Sequence, residues 1–142
     1  MNMLVLCCLF PLSLLAGQQD LEMLLKELDA VIECKDSYIL PKEKELSELR
    51  LRLKNTKNNR QKYELCDKLF TAYLHYQADS ALSYVERKQE LLPFLDEPVL
   101  EQELIINRAE VTGVMGMYSW AEQQLSQVKP GILTPELLGY YY

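Results

Sequence analysis

Residues 63–92 read YELCDKLFTAYLHYQADSALSYVERKQELL. Leu65, Leu69, Phe70 and Tyr73 fall three or four residues apart, on one face of a helix. A polar break follows at Gln77-Ala78-Asp79-Ser80, and Ala81, Leu82, Val85 and Leu91 then supply a second apolar stripe. Neither helix can bury its stripe alone, so the stretch predicts two short antiparallel helices packed on each other. Ala81 is small where the two helices would cross, which permits close approach.

A second copy of the unit lies downstream. Gly116-x-Tyr118-x-x-Ala121-x-x-x-Leu125 places Ala121 forty residues after Ala81, and each alanine sits near the start of a second helix. Self-similarity at this period indicates stacked helical hairpins. The string resembles the tetratricopeptide repeat (TPR). Leu69-Phe70-x-x-Tyr73 looks like its first-helix motif, and Gly116-x-Tyr118-x-x-Ala121 like its turn and second helix. Pro93 and Pro130 stand where such a repeat often ends. The expected fold class is all-α, with antiparallel helical hairpins stacked as a short TPR-like solenoid.

The remaining segments organise around these hairpins. Residues 1–17 carry no charge, and residues 3–16 are almost wholly apolar, interrupted by Pro11 and Ser13. About fourteen apolar residues span only about 21 Å as a helix, short of the roughly 30 Å hydrocarbon core. The small pair Ala16-Gly17 follows, so residues 1–17 read as a secretory signal peptide cleaved after Ala16 or Gly17. Leu14-Leu15-Ala16-Gly17 is similar to a lipoprotein box, but Gln18 stands where that box needs cysteine. Residues 18–58 read as N-terminal helices. Leu21, Leu24, Leu25, Leu28, Val31 and Ile32 form one helical stripe behind an Asp20 cap. A break is expected at Lys35-Asp36-Ser37. A second helix over residues 37–54 then takes Pro41 in its first turn; a start at Lys35 would put Pro41 inside the helix.

Residues 59–142 are assigned to TPR-like hairpins, the last one incomplete. Pro93 to Pro98 make a rigid turn, residues 99–114 a helix, and residues 118–128 its partner. Thr134-Pro135-Glu136 is a helix start, a cap followed by proline. Solenoids usually close with a polar helix. Tyr140, Tyr141 and Tyr142 are not polar caps, so the chain reads as a shortened version of a longer repeat protein, with a short C-terminal helix that packs its tyrosines back onto the second hairpin as the alternative.

Charge and chemistry narrow the function. The net charge is −6, which argues against generic nucleic-acid binding. The distribution is uneven: residues 35–62 hold nine bases and four acids, between two acidic segments. That basic segment reads as a solvated helix face or as a docking patch. No Gly-rich phosphate loop, metal-ligand spacing or nucleophile elbow is present. The single histidine, His75, sits near a helix end among Tyr73, Leu74 and Tyr76, where a cap or surface role fits. No enzyme activity, cofactor or metal is expected. Past residue 17 the chain retains Cys34 and Cys66. With an antiparallel turn near Lys57, they stand roughly 21 Å apart at helical rise, whereas a disulfide needs Cα atoms within about 7 Å.

The order of Leu28-Asp29-x-Val31-Ile32, Lys35-Asp36-x-Tyr38, Lys42-Glu43-x-Glu45-Leu46-x-x-Leu49, Tyr63-Glu64-Leu65-x-x-Lys68-Leu69-Phe70-x-x-Tyr73 and Asp79-Ser80-Ala81-Leu82-x-Tyr84 resembles the N-terminal, periplasmic part of bacterial membrane-anchored tetratricopeptide regulators. Their later parts include a transmembrane helix, a coiled coil and a cytoplasmic region often ending in a helix-turn-helix-like segment; these have no counterpart in residues 20–142. The resemblance implies an exported, periplasmic sensory or scaffolding segment, attached to membrane only through the signal peptide or later sequence. It does not imply direct nucleic-acid binding. Stacked hairpins form a groove lined by the first helix of each pair, suited to a peptide or protein segment. Tyr63, Cys66, Phe70, Tyr73, Ile106 and Glu110 are the groove candidates. Core packing is the simpler role for Phe70 and Ile106, while Tyr63, Tyr73 and Glu110 are the expected partner contacts. The alternative is a structural scaffold that stacks with further repeats or self-associates.

Overall fold

In the computed structural model, residues 10–142 are described, with side chains from residue 20 onward. The signal peptide expected over residues 1–17 therefore falls outside the described side chains. Seven α-helices follow in order among the described residues: α1 (Phe10–Glu33), α2 (Lys35–Asn55), α3 (Asn59–Tyr73), α4 (Ala78–Leu91), α5 (Pro98–Val114), α6 (Tyr118–Leu125) and α7 (Pro135–Tyr141). The chain divides into two compact units, Met1–Lys44 and Glu45–Tyr142.

In the first unit, α1 and α2 are separated by Cys34 alone. The expected three-residue break is not there: α2 starts at Lys35 and carries Pro41 in its interior. Ser37 secures that start, its hydroxyl donating to the Cys34 carbonyl at 2.6 Å. Pro41 removes one helical N–H, a cost the helix absorbs. The apolar stripe of α1 is present and uncovered, with Leu21, Leu24, Leu25, Leu28, Val31 and Ile32 between 50% and 62% exposed.

The second unit starts at Glu45, fourteen residues before the hairpin boundary drawn from the sequence at residue 59. The reason is Leu46, fully buried against the first hairpin, with Leu49 and Leu53 packed beside it. Asn58 caps α3, its side chain accepting from the Gln61 N–H at 3.0 Å. α3 packs on α4, α4 on α5, and α5 on α6, the consecutive stacking of a helical repeat. The core runs through Leu46, Leu69, Phe70, Val85, Leu104 and Val111. Ala81 is fully buried and Ala121 nearly so. Both small residues therefore sit at helix crossings, as the repeat pattern requires.

Two boundaries differ from the sequence reading. The turn of the first hairpin falls at residues 74–77, so Ala78, Asp79 and Ser80 already belong to α4. α3 itself starts at Asn59, the residue at which the hairpins were drawn from the sequence. α6 stops at Leu125 and not at Val128. Beyond it the chain is drawn back to α5, where the Lys129 N–H donates to the buried Gln102 side chain at 2.7 Å. An ion pair tethers the start of α3 to the turn before α5, with Arg60 Nη1 2.6 Å from both Glu97 oxygens. Both partners are nearly half-exposed, so it contributes at most about 1 kcal/mol.

The α5–α6 turn depends on one glycine. Gly116 has φ +82°, the left-handed conformation that ends helices. The Met117 N–H then closes back on the Thr112 carbonyl at 2.9 Å. Gly113, one turn earlier, lies in regular helix with space for a methyl group 3.9 Å from the Ala121 Cβ. Two substitutions three residues apart should thus act in opposite directions. Gly116→Ala should lower unfolding free energy by about 1–2 kcal/mol, and Gly113→Ala should raise it by up to about 1 kcal/mol through helix propensity. Urea unfolding followed by circular dichroism measures both, and a Gly116→Ala variant as stable as the parent would refute the turn assignment.

Candidate interaction groove

The second unit carries a charge in its interior. Lys88 lies on the buried stripe of α4, where Ala81 and Val85 would be followed by another apolar residue, and is 0% exposed. Its ammonium donates to Asp67 Oδ1 of α3 at 2.5 Å, to Glu103 Oε1 of α5 at 2.6 Å and to Asn107 Oδ1 of α5 at 2.6 Å. All three N–H donors of the ammonium are used. The Tyr63 ring lies 4.6 Å from Nζ and the Phe70 ring 5.9 Å away, adding cation–π attraction. The Tyr63 hydroxyl reaches Glu103 Oε1 at 3.2 Å and the Leu100 carbonyl at 3.3 Å. Burial first, and the neighbouring Glu103 carboxylate second, push the Tyr63 phenol well above its ordinary pKa. The network joins both helices of the first hairpin to the first helix of the second.

Above this network lies a cleft of about 420 Å³. Asp67, Phe70, Thr71 and His75 come from α3 and its turn, Glu103, Asn107 and Glu110 from α5, and Leu137 and Tyr140 from α7. The first helices of successive hairpins therefore line one concavity. Thr134 positions α7 by capping it, accepting from the Leu137 N–H at 3.3 Å. Tyr141 reaches back to the Leu125 carbonyl at 3.5 Å. Burial, then the Glu110 carboxylate, raise the pKa of the Tyr140 phenol. Glu110 Oε2 is buried with no hydrogen-bond partner among the described residues. Tyr142 is 89% exposed.

The partner contacts expected from sequence divide sharply. Glu110 lines the cleft. Tyr63 and Tyr73 do not offer a surface, being 2% and 4% exposed. Tyr63 is turned beneath the cleft onto Lys88. Tyr73 is turned to α4, stacked on Tyr84 with ring centroids 5.6 Å apart. Their phenols therefore serve the interior, which corrects the sequence reading. Cys66, Phe70 and Ile106 are buried as well, with only Phe70 forming part of the cleft wall. His75 is exposed at the rim. Sequence reasoning missed Lys88, Asp67, Glu103 and Asn107. The available signal was a lysine continuing the apolar stripe of α4.

Residues 32–142 match the family model described as the SusR N-terminal TPR domain. The chain belongs to that family. The TPR motifs around Tyr73 and Ala121 and the all-α hairpin architecture thus agree with both the structure and the family. No curated protein and no solved structure matches the chain. TPR domains usually mediate protein–protein interaction and are generally non-catalytic. In this SusR-type TPR domain no group of His, Cys, Asp and Glu among the described residues is placed to hold a metal ion. Cys34 and Cys66 are free thiols, the first exposed and the second buried. No helix among the described residues is long and apolar enough to cross a membrane.

The Lys88 network has a measurable consequence. Lys88→Met keeps the volume but leaves Asp67 and Glu103 without their cation, and should cost about 3 kcal/mol. Adding Glu103→Gln should restore part of the loss, since the two groups are directly coupled. Equal stability of Lys88→Met and the parent in urea unfolding would show that the ammonium does not hold the hairpins together.

Proposed function

We propose that this chain is the non-catalytic sensory or interaction segment of an exported bacterial TPR regulator, and that it binds a peptide or protein segment in the cleft between α3, α5 and α7. The observation that carries the reading is that the first helices of successive hairpins share one open concavity, floored by the rigid Lys88 network and rimmed by exposed Thr71, His75 and Tyr140. A preformed floor lowers the ordering cost of binding. The carboxylates of Asp67 and Glu103 are held by Lys88 from beneath, which leaves Glu110 as the acid able to orient a partner.

Blocking the cleft tests this directly. Thr71 is exposed on α3 and lines the cleft, so Thr71→Trp fills it without touching the core. Peptides selected from a random library on the parent chain should lose at least about tenfold in affinity, about 1.4 kcal/mol, on Thr71→Trp. Selected peptides that bind both equally would place recognition outside the groove.

Export to the periplasm is supported by the uncharged, apolar residues 1–17 with the small pair Ala16-Gly17. Protein recovered from the envelope fraction of expressing cells should begin at Gly17 or Gln18. An intact Met1 on protein recovered from the cytoplasm would refute export. A second reading, a structural scaffold that stacks with further repeats or self-associates, is favoured by the exposure of Tyr140 and Tyr142 at 55% and 89%; a mass that rises with concentration in light scattering would support it.

A further inference from the structure

A second and larger cleft, about 580 Å³, opens between the C-terminal half of α2, α3 and α4. Its chemistry is opposite in sign to that of the groove. Arg50 and Lys54 enter from α2, Lys62 from α3 and Arg87 from α4, and Glu90 is the one acid among the lining residues. Four bases converge on one cavity in a chain whose net charge is −6. Three of the nine bases in residues 35–62, Arg50, Lys54 and Lys62, border this recess, while Arg52, Lys57 and Arg60 are exposed outside it.

The recess is built to hold its charges. Cys66 and Tyr84 form a closed floor, 1% and 7% exposed. The Arg87 guanidinium lies 5.2 Å over the Tyr84 ring, which fixes its plane and directs its fork of donors. Burial raises the pKa of the Cys66 thiol, so the floor itself stays neutral. Lys54 and Lys62 form no ion pair among the described residues, and the four bases outnumber Glu90, the one acid lining the cleft, so like charges repel one another there. Leu53 and Leu91 add apolar wall. The volume falls in the range of small-molecule sites and exceeds what a bare inorganic ion fills.

We infer that the cleft between α2, α3 and α4 is a binding site for a small organic anion bearing a phosphate, sulfate or carboxylate group, held by Lys54, Lys62, Arg50 and Arg87. Guanidinium forks and ammonium groups match such oxyanions, with charge-assisted hydrogen bonds. The site stands apart from the groove reading, since the two clefts share no lining residue.

Isothermal titration of the full chain with phenyl phosphate and with citrate, at fixed ionic strength, tests the assignment. Saturable binding of at least one anion is expected, weakening as salt rises. Lys54→Gln combined with Lys62→Gln should weaken it at least about tenfold, with circular dichroism showing that the variant is folded. Lys68→Gln, on α3 but outside the cleft, should leave it unchanged. Arg87→Lys keeps the charge but loses the fork and should fall between. Absence of saturable binding of either anion overturns the proposal, as does affinity indifferent to the paired lysine variant. Binding confined to an oligoglutamate peptide also overturns it, and would reassign the cleft to an acidic partner segment.

Discussion

The ammonium of Lys88 ties together α3, α4 and α5 of the second unit. A buried unpaired charge costs several kcal/mol, so this lysine is tolerable only where acceptors converge. Asp67, Glu103 and Asn107 do so from two helices that are neighbours only in the stacked fold. The first hairpin and the start of the second are thus locked in register by direction-dependent bonds. Apolar packing alone would permit more sliding. The two tyrosines that read as ligand contacts are consumed by the same interior, one on Lys88 and the other on Tyr84.

The network also shapes the electrostatics of the groove above it. Three acids line that cleft; Asp67 and Glu103 share the single Lys88 ammonium beneath it, and Glu110 Oε2 is buried with no hydrogen-bond partner among the described residues. On another face of α3, Lys62 and Cys66 border the basic recess. One helix therefore separates two cavities of opposite sign. The two cavities share no lining residue. Both lie within the unit that begins at Glu45, where Leu46 brings the end of α2 onto the first hairpin.

The first unit stands in contrast. Its α1 stripe has the periodicity of a buried helix face, yet its side chains are half exposed or more. The family match begins at residue 32, so most of this stripe lies before it. Periodicity shows that a face is apolar; it does not show what covers it.

Much of the fold was legible in the chain itself. Hairpin spacing, the small residues Ala81 and Ala121, the Thr134-Pro135 helix start and the proline-bounded turns are local features, and local propensity and amphipathic period are enough to read them. Some helix ends were read less well, because the pull of Gln102 on Lys129, which stops α6 at Leu125, depends on a particular hydrogen bond. The sites were legible only in part. A basic segment over residues 35–62 was visible, but not that Arg50, Lys54 and Lys62 from it border one recess with Arg87. Glu110 lines the cleft, whereas Tyr63 and Tyr73 are buried, since a phenol suits a surface and an interior equally well. The sequence by itself determined that helices form and that they pair. Tertiary structure alone decided which polar groups are buried, because that depends on partners 15 to 40 residues away along the chain.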